Sequence, residues 1–222
     1  MTTMTVVQCW DDGVNADLGV LEICRRHDAM ATFNLNAGLH EPARKKSWVY
    51  KDTDVWRLGW DEMLEAYDGF AIANHSLTHP RLEQIPIEQA REEIRVGRER
   101  LQAFFQDEIR GFAYPFGSYS PEVMEVIRDC GHAYARTVKN VAQAMPPEDP
   151  MAFHPNCHFL AADFWERYEA ARACGVFYFW GHSYEMVTDE MWATFDAQIA
   201  RISADPTTRW ANVQDLFPAG DS

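Results

Sequence analysis

The sequence predicts an α/β fold of parallel strands joined by helical crossovers, forming a single domain over residues 1–222. Three observations lead there. Short β-type runs alternate with amphipathic helical ones, several of those runs end at Gly- or Pro-containing turns, and no repeat, linker or low-complexity tract divides the chain. Parallel neighbours need long crossovers, which the helical stretches supply. The element count suits an open sheet or a barrel with fewer than eight clean repeats. In either, ligands gather at the carboxyl ends of the strands.

Residues 4–10 (MTVVQCW) read as the first strand. Residues 16–27 follow as a helix with Leu18, Leu21 and Ile23 on its buried face and Asn15 or Asp17 as its cap. Residues 30–36 (MATFNLN) form a second strand, and 48–60, with Trp48, Trp56 and Trp60, an insertion suited to a lid or an interface. Residues 69–74 (GFAIAN) are a short apolar strand, and 86–105 a long amphipathic helix with Pro86 near its first turn. A strand at 109–114 precedes a helix opened by Ser120-Pro121 and stopped at Gly131. Further strands fit 132–137, 176–181 and 208–213, with helices at 163–174 and 188–203.

A formal net charge of −14 argues against nucleic-acid or anionic-membrane partners, which need clustered Lys and Arg. The one short basic cluster, Arg44-Lys45-Lys46, reads as a solvated loop. No apolar run approaches the ~20 residues of a membrane span. The first ten residues lack a basic stretch followed by a long apolar run, and the five cysteines show no C-x-x-C spacing. Together these features imply reduced thiols and a cytoplasmic protein.

Chemistry-bearing residues recur where strands end. Asp11-Asp12-Gly13 closes the first strand, where a turn at Gly13 can swing both carboxylates to one mouth, although Asp-Gly is also a common turn pair. His75-Ser76-Leu77-Thr78-His79 follows the strand at 69–74, and histidines four apart on one helical turn can converge on an ion. Pro80 ends that turn at once, and Ser76 stands where a zinc-protease helix carries glutamate. Tyr114-Pro115-Phe116-Gly117 and Trp180-Gly181-His182 end two later strands. Each motif alone is weak; their placement at strand ends makes them one candidate site.

In this order the motifs resemble the polysaccharide deacetylases (carbohydrate esterase family 4), the match running from about Val6 to His182. Its segments are Trp10-Asp11-Asp12-Gly13, Ala31-Thr32-Phe33-Asn34-Leu35, Asn74 with His75 to His79, Pro115-Phe116-Gly117 and Trp180-Gly181-His182. The resemblance implies a distorted (β/α) barrel with fewer than eight full strands. It implies a divalent metal on Asp12, His75 and His79, with zinc expected and cobalt or nickel as alternatives. Asp11 would be the general base, His182 the general acid, and the backbone N–H of Phe116 a donor to the oxyanion. The division of labour between Asp11 and Asp12 rests on the resemblance alone.

The chain also departs from the family. Ala113 stands where many members carry an arginine that pairs with the base, and the Asp-x-x-Asp-Trp segment supporting that arginine is missing around Tyr134-Ala135-Arg136-Thr137. We expect Arg136, at the end of the adjacent strand, to orient Asp11 instead. Trp10, Tyr114, Pro115, Phe116, Gly117 and Trp180 are expected to line the substrate pocket. His154, Cys157 and His158 can in principle ligate a second metal, but a loop with a buried thiol is the favoured reading. His27, His40 and His132 are expected to be structural.

The expected activity is metal-dependent removal of an N-acetyl group from an amino sugar, releasing acetate. The cytoplasmic expectation favours a small or nucleotide-linked sugar over a polymer. The competing readings are hydrolysis of a non-sugar amide, such as a cyclic ureide or formamide, and a non-catalytic carbohydrate-binding protein.

Overall fold

The computed structural model describes residues 3–218. Its elements are β1 (Met4–Asp11), α1 (Asp17–Arg26), β2 (Thr32–Leu35), β3 (Lys45–Tyr50), β4 (Thr53–Arg57), α2 (Trp60–Ala66), β5 (Ala71–Asn74) and α3 (Ile87–Phe105). They continue with β6 (Gly111–Ala113), α4 (Pro121–Asp129), β7 (Tyr134–Arg136), β8 (Cys157–His158), α5 (Phe164–Ala171), β9 (Val176–Gly181), α6 (Asp189–Ser203) and β10 (Thr208–Trp210).

The main sheet runs β7-β6-β5-β2-β1-β9-β8, with β10 added beside the start of β1, and its pairings are parallel. One segment joins its two edges. Phe153 bridges Arg136 of β7, and a few residues later β8 pairs with β9. The sheet therefore curls into a distorted (β/α) barrel, as the resemblance implied.

Strand alternation sorts the side chains into two layers. Along β1, Met4, Val6 and Trp10 join the large cluster with α1, α5 and α6 residues, whereas Val7 and Cys9 pack with Tyr134, Tyr178 and Phe153 in the barrel interior. Trp10 is fully buried between Phe159 and Phe195, at 4.9 and 5.0 Å. Burying a side chain of that size contributes about 1.5–3 kcal/mol. On β9, Phe177 and Phe179 join the outer cluster and Tyr178 and Trp180 the interior. The interior file of β1 thus runs Val7, Cys9, Asp11 and ends at the barrel mouth.

Helix caps follow local chemistry. Ser120 and Thr188 accept hydrogen bonds from the amides of Val123 and Met191, both at 3.2 Å, and Gly131 ends the α4 region at φ +83°. The expected cap of α1 differs: Ala16 takes that position without a side-chain bond. Asp17 lies inside the helix and is buried, accepting from Tyr67 (2.7 Å) and Ser183. Several strands are shorter than expected, notably β2, β6 and β10, because only residues in register with a neighbour extend the ladder. The insertion holds an antiparallel hairpin, β3–β4, which places Lys45 and Lys46 on an exposed strand and not in a loop. Among the described residues no helix is long and apolar enough to cross a membrane.

Candidate active site and metal centre

Asp11, Asp12, His75, His79, Tyr114, Phe116, Val138, Trp180, His182 and Tyr184 line one cavity of about 310 Å³ at the barrel mouth. Strand ends β1, β5, β6 and β9 deliver most of them. Tyr184 belongs to the strand-end stretch around His182, whereas Val138 carried no signal in the sequence. Trp10, expected in the pocket, lies in the outer core instead: as the neighbour of Asp11 on one strand, it must point the other way. Pro115 is buried beneath the turn, and a side chain at Gly117 would meet Val138 Cγ2 at 2.1 Å, so both shape the backbone behind Phe116.

The two neighbouring aspartates meet different partners. Arg136 Nη2 donates to both carboxylate oxygens of Asp11 at 2.5 Å, and Asn34 Nδ2 donates to Oδ1 at 2.7 Å. Burial by itself would raise the Asp11 pKa, but the Arg136 guanidinium holds this carboxyl well below the usual range. Asp12 turns at φ +85°, out of the strand, and its Oδ1 lies 4.0 Å from His79 Nε2.

Donor atoms of Asp12, His75 and His79 all lie within 4.8 Å of one another. These residues fit a divalent cation. His75 Nδ1 faces the Ala113 carbonyl at 2.8 Å, so in the neutral ring Nδ1 donates and Nε2 presents its lone pair to the cavity, 3.9 Å from Asp11. Burial lowers the His75 pKa to about 4 and also lowers that of His79, so both rings are neutral, the form that ligates. Their convergence does not come from a helical turn, as the spacing suggested. Residues 75–79 are an irregular loop with Ser76 and His79 at φ +64° and +62°, and Ser76 Oγ accepts from the His79 amide at 2.9 Å.

His182 approaches from β9, its Nε2 3.8 Å from Asp11 Oδ2 and its Nδ1 3.4 Å from Glu185 Oε2. Burial disfavours the imidazolium, but Glu185 and the two aspartates outweigh it and raise the His182 pKa. Despite its own burial, Glu185 is held ionised, its pKa about 2, chiefly by the neighbouring rings of His158 and His182, at 2.9 and 3.4 Å. Sequence reasoning missed Glu185; its position three residues after His182 was the available signal.

His158, His182 and Glu185 also bring their donor atoms within 4.8 Å. Hydrogen bonding gives this second group a different character. The Leu160 amide donates to His158 Nδ1 (3.3 Å), so the neutral ring carries its proton on Nε2 and donates to Glu185 at 2.9 Å. That tautomer opposes a metal at Nε2. His154 turns to Thr137 Oγ1 at 2.6 Å, and burial pushes the Cys157 thiol up to about 12. The segment 154–158 is therefore a hydrogen-bonded lead into β8, with a protonated thiol on the strand and not in the loop that was expected. His27 pairs with Asp196, His40 Nδ1 meets the Leu58 carbonyl at 2.9 Å, and His132 meets Asn74.

The family model for polysaccharide deacetylases matches residues 1–135, more than half of the chain. The chain belongs to the polysaccharide deacetylase family. No curated protein is significantly similar to it in sequence. Among solved structures, the Streptococcus pyogenes deacetylase PplD in complex with acetate is 21% identical, with a TM-score of 0.50 over 61% of this chain and 55% of that one. The chain thus spans little more than half of that relative. A family 4 carbohydrate esterase from Streptomyces lividans, in complex with acetate, is 15% identical with a TM-score of 0.61, over 95% of this chain and 93% of that one. The Bacillus anthracis protein BA3943, a pseudoenzyme of the same esterase family, is 16% identical with a TM-score of 0.63, over 97% of this chain and 66% of its own. A pseudoenzyme among these neighbours means that likeness of fold carries architecture, not catalysis.

Proposed function

We propose that this deacetylase-family chain is a metal-dependent hydrolase that removes an N-acetyl group from an amino sugar and releases acetate. The observation that carries the reading is the juxtaposition of three parts in one cavity. They are a convergent Asp12–His75–His79 donor set, an ionised Asp11 beside it, and a His182 whose surroundings favour its protonated form.

Three protein ligands leave an open position, the pattern of a catalytic site. Asp12, His75 and His79 would hold a divalent cation, zinc first and cobalt or nickel as alternatives, which would supply a lowered pKa of water and polarisation of an amide carbonyl. Asp11 accepts the proton of the attacking water; Arg136 fixes the carboxylate's orientation and keeps it ionised. The backbone N–H of Phe116, held in a left-handed turn at φ +57°, donates to the developing oxyanion. As the C–N bond breaks, His182 Nε2 delivers its proton to the departing amine, so that acetate and a free amino group leave. Glu185 favours the imidazolium that this step requires.

Trp180, Phe116 and Tyr184 offer apolar walls for a sugar ring and its acetyl methyl. The same cavity volume of about 310 Å³ also suits a small non-sugar amide, such as a cyclic ureide or formamide.

The test couples metal and turnover. After mild dialysis we expect about one tightly held ion per chain, lost in Asp12→Asn and in His75→Ala. The loaded protein should release acetate from N-acetylated mono- or oligosaccharides in a substrate screen. Metal binding with hydrolysis confined to cyclic ureides or formamides would move the assignment to the second reading. A folded chain that takes up neither zinc nor cobalt would end the hydrolytic one.

A further inference from the structure

The hairpin β3–β4 lies outside the barrel sheet and is largely exposed, yet its last residue, Arg57, is only 6% exposed. Its guanidinium reaches beneath the metal centre. Nη1 donates to the main-chain oxygen of Asp12 and to Asn36 Oδ1 (3.2 Å), while Nη2 lies 3.5 Å from Asp12 Oδ1. Trp48 of the same hairpin packs against the guanidinium at 5.3 Å. Asn36 then donates from Nδ2 to the main-chain oxygen of His75. One side chain therefore links the loop after β1 to the loop after β5, through the loop after β2.

The link has a physical task. Asp12 sits at φ +85°, a region that costs an L-residue roughly 1–2 kcal/mol and persists only where the surroundings over-determine it. The Asp12 amide is held by Asn34 O at 3.0 Å, and its carbonyl by Arg57. The hairpin end is itself anchored nearby, with Leu58 N bonded to Gly13 O at 3.0 Å and Asn15 N to Trp56 O at 2.7 Å.

We propose that Arg57 is a positioning residue of the metal centre, its Nη1 holding the Asp12 main chain and, through Asn36, that of His75, so that two ligands keep their spacing before any ion arrives. This inference rests on the reading of Asp12, His75 and His79 as ligands. It runs against simple electrostatics: a guanidinium beside a cation site repels the incoming ion, so charge alone predicts tighter binding once Arg57 is removed. Positioning predicts the opposite.

The experiment measures the zinc dissociation constant of the full chain by competition with a chromogenic chelator, together with Tm with and without zinc. It compares wild type, Arg57→Met, Arg57→Lys and Asn36→Ala. We expect both Arg57 variants to bind zinc about 10–100-fold more weakly, as when groups supporting a ligand are lost. Lysine should not rescue, because its ammonium ends one bond short of the position of Nη1, from which both hydrogen bonds are made. The zinc-dependent rise in Tm should shrink by more than the metal-free Tm falls. Asn36→Ala should weaken zinc with the Arg57 charge still in place, and it carries the test if the Arg57 variants do not fold. The double variant Arg57→Met/Asn36→Ala should be no worse than Arg57→Met.

Unchanged or tighter zinc binding in Arg57→Met, or full rescue by lysine, would overturn the positioning role and leave the ligand assignment standing. A wild type that binds no zinc would overturn both.

Discussion

Asp11 and Asp12 are adjacent, both buried, and each has an arginine close by, yet the two sites are built differently. Arg136, from β7, grips the carboxylate of Asp11. Arg57, from the hairpin, spends its donors on the Asp12 main chain and on Asn36, and stays 3.5 Å from the Asp12 carboxylate. One arginine fixes charge and orientation; the other fixes backbone and leaves the oxygens available. Two like residues with like neighbours acquire unlike chemistry according to which atoms are engaged.

The largest expected effect separates the two aspartates directly. Asp11→Asn should retain bound metal and lose about 10²–10⁴ in kcat, the usual worth of a positioned base. Metal analysis on the same sample should contrast with the metal loss expected of Asp12→Asn. Equal metal loss in both would erase the distinction.

Arg136→Met should destabilise the fold by about 3–5 kcal/mol, because it leaves the Asp11 carboxylate buried without its partner. Denaturant titration reads this out. The Asp11 pKa is lowered by folding, so the pair's contribution is present above the ordinary aspartate range and is lost as pH falls through the folded value. The gap between wild type and variant should therefore narrow in acid.

Glu185→Gln should move the alkaline limb of the kcat–pH profile to lower pH, since the carboxylate no longer favours the His182 imidazolium. An unmoved limb would remove Glu185 from the control of that proton.

Asp17 adds an effect that appears only as pH changes, because burial raises its carboxyl to about 7. A raised acid contributes its full stability below the unfolded pKa and loses it as pH climbs towards 7. Asp17→Asn should gain on wild type by up to about 1.4 kcal/mol per pH unit from pH 4 to 7, and stay level outside that window.

Much of this architecture was legible in the sequence, because it follows from short-range rules. The order of strands and helices came from periodicity, and the opening of α4 at Ser120 from cap chemistry. The pairing of Arg136 with Asp11 was anticipated from two strand-end positions and a missing partner. The misplacing of Trp10 was avoidable, since a residue adjacent in a strand to an inward Asp11 must face outward. Arg57 was not legible. It acts from a hairpin inside an insertion, and its partners are main-chain atoms that carry no residue-type signal. Pro80 marked His75–His79 as a short loop element, but the left-handed residues within it were not legible.

Asp12, Ser76, His79 and Phe116 all occupy positive φ around this one cavity. None is glycine, so each holds a conformation that glycine would adopt at lower cost. The mouth of the barrel is thus where selection for stability and selection for chemistry pull in opposite directions. In a lineage released from catalysis, exchanges to glycine at these positions would be easy steps, stabilising the chain as they dismantled the site. On the proposed reading, loss of function here would run downhill, and keeping the site intact would require continued selection for turnover.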